Sequence, residues 1–178
     1  MTWQPRLRLA LLIVAVVVLQ TTVFSSGLRV FGVTPDLGLL LTIAVACALG
    51  SERGAAFGFV AGLAVDLFLS TPLGVSALTF ALVGYGAGIA QSGVLRPSRW
   101  ATPMMGALGG LAGGVLFVGI AAVAGWEALL SLASVRVIVI ASLYDALLAI
   151  AVFPIARWAT RTPQGGDRTW LRSSTVRL

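Results

Sequence analysis

The chain alternates between long apolar stretches and short polar breaks. About 20 apolar residues, with a range near 17–25, cross the hydrocarbon of a bilayer as a helix. On that measure the pattern predicts six membrane-spanning helices, at about 7–24, 34–50, 54–70, 73–91, 101–124 and 136–158. The second and third are short, and only Ser51, Glu52 and Arg53 separate them, which predicts a tight helical hairpin. Thr34-Pro35-Asp36, Thr71-Pro72 and Thr102-Pro103 read as helix starts. In each, a hydroxyl caps the helix and a proline takes the first helical position, where its missing N–H costs nothing. Asp36 adds an acid in the first turn, which suits the helix dipole. It reads as an outer-face start signal, with contact to a partner as the alternative.

Composition changes the picture in one respect: it leaves no room for a soluble domain. Of 178 residues 58% are hydrophobic and 10% charged, against about 25% charged in soluble domains. The fold class expected is all-α and integral to a membrane. One six-helix transmembrane domain would occupy residues 1–160, and residues 161–178 would form an arginine-rich, disordered cytoplasmic tail. All 12 basic residues are arginine, and the net charge is +6. Such a charge suits nucleic acid, but these arginines sit in short loops and the tail between apolar spans, so nucleic acid is excluded. They follow the positive-inside rule instead. With the N-terminus in the cytoplasm, Arg6, Arg8, Arg53, Arg96, Arg99, Arg157, Arg161, Arg168, Arg172 and Arg177 lie inside, and only Arg29 and Arg136 lie outside. Both termini are then cytoplasmic. Trp100, Trp126 and Trp158 fall at span ends, the headgroup level such rings favour. The basic, apolar start resembles a signal peptide, but no small-x-small cleavage site follows, and it reads as an uncleaved first helix.

The most informative stretch is Gly54, Gly58, Gly62 and Asp66. Four-residue spacing keeps these positions on one side of a helix, drifting by about 40° per step. Three glycines so placed make a flat strip that another helix can approach closely. The strip ends on a carboxylate in an apolar segment, at a cost of roughly 2.5–3.5 kcal/mol on insertion scales. A second ladder, Gly106, Gly110 and Gly114, with Gly109 and Gly113 beside it, marks the fifth span, and Gly84, Gly86 and Gly88 the fourth. Spacing alone leaves open whether these faces meet the chain's own helices or a partner.

Two acids, Asp66 and Asp145, lie inside spans. Intramembrane acids serve as proton relays, ion sites or buried ties. The tie reading has each bonded to a helix start, a hydroxyl or a neutralising group, such as Arg136 for Asp66. An aspartyl protease dyad is excluded by order and spacing. Tyr144-Asp145 has half of that signature, but the second acid comes three helices too early. No catalytic residue, cofactor or metal site is expected. Lys and His are absent, Cys47 is alone within a span, and the glycine-rich segments lie inside helices instead of between a strand and a helix.

Several segments together resemble a known family. They are Thr34-Pro35-Asp36-Leu37, then Gly54, Gly58, Gly62-Leu63 and Asp66-Leu67, then Pro72-Leu73-Gly74, Leu78 and Gly84-Tyr85. Leu19-Gln20-Thr21-Thr22-Val23-Phe24 and Tyr144-Asp145-Ala146-Leu147-Leu148 through Phe153-Pro154 extend the match to about residues 7–160. In order and spacing they resemble MreD, the rod shape-determining membrane protein. One position departs, Asp145, where the family often carries an asparagine-like residue. The resemblance implies a non-enzymatic component of the bacterial cell-elongation machinery in the cytoplasmic membrane. It implies association with MreC, and a wider assembly with the filament MreB and the glycosyltransferase RodA with its transpeptidase partner. It also implies a six-helix fold similar to the substrate-binding subunits of energy-coupling-factor vitamin transporters. A small-solute binding subunit of a transporter is therefore the alternative. Its outer-face pocket would have only Ser70, Thr71, Ser76, Thr79, Ser131, Ser134, Asp66 and Arg136 to draw on, a sparse polar set.

Overall fold

The computed structural model describes residues 3–23, 35–68, 73–93, 101–126 and 131–160. Thr34, Thr71, Pro72, Arg29, Trp100 and the tail 161–178 lie outside these residues, and the expectations placed on them go with them. Six helices make up the described fold: α1 (Trp3–Val23), α2 (Leu37–Leu49), α3 (Ser51–Phe68), α4 (Val75–Gly93), α5 (Ala101–Val123) and α6 (Leu132–Thr160).

Helix α2 is the centre. Every residue from Leu37 to Ala46 is buried, and α2 touches each of the other five helices. Its 13 residues reach about 20 Å at 1.5 Å per residue, short of a hydrocarbon core about 30 Å thick. A short helix is tolerated where protein surrounds it, because its end groups can be bonded internally. The Thr42 hydroxyl returns to the Gly38 carbonyl at 2.9 Å, and the Gly50 N–H reaches the Ala46 carbonyl at 2.9 Å. Among the described residues three helices have the length and apolar composition to cross a membrane, over Val75–Ser92, Ala101–Val123 and Ser134–Thr160, and α1 and α2 carry shorter apolar runs. The outward faces are apolar too. Leu67, Leu82, Ile89, Leu108, Leu143 and Leu147 are all exposed, as expected of a surface that meets lipid tails.

Local chemistry moves several boundaries from their expected places. The α2–α3 hairpin turns on Gly50 alone, and Ser51, Glu52 and Arg53 are already helical. Gly50 has φ +91°, a region open chiefly to glycine. Its own carbonyl accepts the first bond of α3, from the Gly54 N–H at 2.9 Å. Helix α6 starts at Leu132, earlier than expected, because the Ser131 hydroxyl accepts the Ser134 N–H at 3.3 Å. Asp36 is itself the N-cap of α2, accepting the Leu39 N–H at 3.0 Å. Pro35 therefore precedes the helix instead of opening it. Thr102 and Pro103 lie within the first turn of α5, where a missing N–H still breaks no bond.

The glycines set how closely the helices approach. A Cβ on Gly54 would strike Ala46 of α2 and come within 3.0 Å of the Gly84 carbonyl of α4. On Gly58 it would strike the Phe80 carbonyl and stand 2.7 Å from the Thr42 methyl. On Gly62 it would lie 2.6 Å from the Ala77 backbone. Gly84 answers from α4, where a Cβ would stand 2.6 Å from the Gly54 carbonyl. This first ladder is therefore the α3 side of a backbone-to-backbone seam with α4. The second ladder divides by face: Gly106, Gly110 and Gly114 pack on α6, whereas Gly109 and Gly113 receive Ile43 and Leu39 of α2.

Gly58→Ala should cost about 1–3 kcal/mol, as for overpacking a close contact. Gly86→Ala, where nothing lies within 4 Å of the added methyl, should be near neutral. Thermal unfolding of the two variants in detergent checks this, and equal losses would contradict the seam.

Candidate functional site

The α3–α4 seam brings a carboxylate to a helix start that lacks its own cap. The first bond within α4 is Leu78 N–H to the Gly74 carbonyl, at 2.9 Å. The N–H groups of Val75, Ser76 and Ala77 therefore have no partner inside the helix. Gly74 occupies the cap position with φ +100° and has no side chain to offer. Asp66, one turn beyond Gly62 on α3, supplies the cap instead. Its Oδ2 accepts the Gly74 N–H at 2.8 Å and the Ala77 N–H at 3.3 Å. Its Oδ1 accepts the Ser76 N–H at 3.3 Å. Asp66 is only 2% exposed, and burying a carboxylate is tolerable when several N–H donors and a helix N-terminus face it. Arg136, the other partner considered from sequence, is exposed on α6.

A second polar cluster lies where α1, α2, α5 and α6 meet. Asp36 Oδ1 accepts from Gln20 Nε2 at 3.2 Å as well as from Leu39 N–H. The Asp36 backbone N–H faces the Asp145 carboxylate where α2 and α6 pack together. Gly110 lies flat on that carboxylate: a Cβ there would stand 2.6 Å from Asp145 Oδ2. A Cβ on Gly106 would lie 2.7 Å from the Asp145 carbonyl oxygen. Asp145 Oδ1 and Gln20 Oε1 are buried and make no hydrogen bond.

The two buried acids thus serve different clusters, one holding the start of α4 and the other packed against α5 and α2. Among the described residues no group of three or more His, Cys, Asp or Glu side chains is placed to hold a metal ion. Of the motif positions, Gly84 faces Gly54, Gly74 opens α4, and Tyr85 is exposed on the far side of α4. Sequence reasoning missed the receiving side of each contact. Phe80, Ala77 and Thr42 have no marking pattern of their own, and Gln20 stands out only as part of a motif.

A family model described as rod shape-determining protein MreD matches residues 4–161. The chain belongs to the MreD family. No curated protein and no solved structure matches it. Membership in MreD implies involvement in rod shape determination, in a family of integral membrane proteins that is structural and not known for an enzyme activity. In this MreD-family chain, the stretch with the strongest sequence signature, Gly54 to Asp66, seats α3 on α4 and caps α4.

Asp66→Leu should destabilise the protein by about 2–3 kcal/mol, the upper part of the range for losing a cap or leaving buried donors unpaired. Asp66→Asn keeps one acceptor oxygen and should lose less than half of that. Membrane accumulation and thermal unfolding read out both, and a wild-type result for Asp66→Leu would contradict the capping role.

Proposed function

We propose that this chain is a non-catalytic membrane scaffold of the rod complex. It binds MreC directly and, through it, helps position peptidoglycan synthesis along the cell. MreB and RodA with its transpeptidase partner belong to the same assembly without having to touch this chain, and membrane lipid covers the rest of its apolar surface. The observation that carries this reading is the use made of the carboxylates at the helix starts. Asp36 and Asp66 are bonded to the starts of α2 and α4, so the polar groups of the interior hold helices together. An interior arranged in this way suits a rigid body presented to other proteins.

In this reading all six helices cross the bacterial cytoplasmic membrane, with α2 as a short central span shielded by its neighbours. The first 160 residues form one domain with both termini cytoplasmic, and the arginine-rich segment 161–178 is a cytoplasmic tail. Family membership, the apolar outer faces and the distribution of arginines support this arrangement.

The test is co-purification. The tagged full chain is extracted in mild detergent and analysed for a single-span protein with a large periplasmic part. MreC should accompany it at a fixed ratio. Recovery of the chain alone, from an extract in which a control membrane complex stays intact, would overturn the proposal.

A further inference from the structure

We propose that the cluster of Gln20, Asp36 and Asp145 is a proton-binding site, with the proton carried on the Asp145 carboxyl, which ties α6 to α1 and α2. The cluster holds more acceptors than donors. Asp145 is 2% exposed, and its Oδ1 has no hydrogen-bond partner. Gln20 Oε1 is likewise buried and unpartnered. One N–H of the Gln20 amide is committed to Asp36, and among the described residues the Asp36 N–H is the one backbone donor turned toward Asp145. Asp66 makes a useful contrast, since three backbone N–H groups converge on it.

Among the described residues no cation lies beside the carboxylate to offset its charge. Helices α1, α2 and α5 pack against α6. From α5 there is no titratable side chain, only the bare backbone of Gly110. From α2 come Asp36, of the same sign, and Cys47. α1 carries Arg6 and Arg8 at the end of the helix opposite Gln20, and Arg8 stacks on the Trp158 ring at 4.9 Å, about 20 Å along α6 from Asp145. On α6 itself Tyr144 adjoins Asp145, while Arg136 and Arg157 are exposed and lie roughly 14 and 18 Å along the axis.

A buried carboxylate beside a second carboxylate, with no counter-charge, is strongly unfavourable. Two things relieve it, a proton or a metal cation. Hard cations with oxygen ligands take six or more oxygens, and here two are unengaged. A proton needs only one. Placed on Asp145 it removes the charge and turns an orphan acceptor into a donor, in a cluster short of donors. Loss of the proton would place an anion against Asp36 and drive α6 away from α2.

The test is infrared spectroscopy of the full chain in lipid nanodiscs, with the aspartate carboxyl carbons isotopically labelled. The chain has few aspartates to assign: Asp36, Asp66, Asp145 and Asp167. A label-shifted C=O stretch of a protonated carboxyl is expected at neutral pH. Asp145→Asn should abolish it, and Asp167→Asn should retain it. Where Asp145→Asn fails to accumulate, Asp145→Glu serves instead, because it takes the band out of the aspartate label. Absence of the band at neutral pH overturns the proposal, as does a band that survives replacement of Asp145. A band that appears only when sodium is withdrawn also overturns it and assigns the cluster to a cation.

Discussion

The bond between the Asp66 carboxylate and the start of α4 is the constraint on which the rest of the bundle depends. Helix α4 begins at a glycine that can make the turn but cannot cap it. The cap must come from elsewhere, and it comes from α3 because the glycine ladder lets α3 lie against the α4 backbone. Each feature requires the other. Without Gly62 the helices would stand too far apart for Asp66 to reach Ser76 and Ala77, and without Asp66 the seam would end on unpaired N–H groups in an apolar setting.

The seam also explains how α2 can be short. Thr42 and Ala46 of α2 pack against the ladder glycines Gly58 and Gly54, so the α3–α4 pair forms one wall of its enclosure. The second ladder builds the other wall, turning Gly106, Gly110 and Gly114 to α6 and Gly109 and Gly113 to α2. In lipid no hydrophobic effect drives helices together, and close van der Waals contact with internal hydrogen bonds must do so. Both ladders serve that end, and the buried polar clusters sit where the ladders bring helix starts within reach.

Much of this is legible in the sequence. The number and order of helices follow from apolar stretches broken by Ser, Gly, Pro and Arg. The ladder and its terminal acid announce a closely packed helix through spacing alone. Other features are not legible because they depend on what lies across the contact. Nothing in the sequence marks Gly50 as the whole of a hairpin, since its φ is set by two helices meeting. The pattern puts Asp36 inside the first turn of α2, but its side chain takes the cap position itself. Gln20 lies far from Asp36 and Asp145 in sequence, and only the fold gathers the three. The hydropathy pattern also treats α2 as an ordinary span, because residues buried by protein and residues facing lipid are equally apolar.

If Asp66 and the glycine seam hold α3 and α4 as one rigid pair, the amides at the start of α4 should open only when that pair opens. Amide hydrogen exchange in lipid, read at Gly74, Ser76 and Ala77, tests this most directly. Strong protection is predicted at these amides in the wild-type chain. In Asp66→Leu, rapid exchange is predicted there, spreading along the α3 ladder while the α5–α6 contact stays protected. Equal protection in the two proteins would contradict the rigid pair.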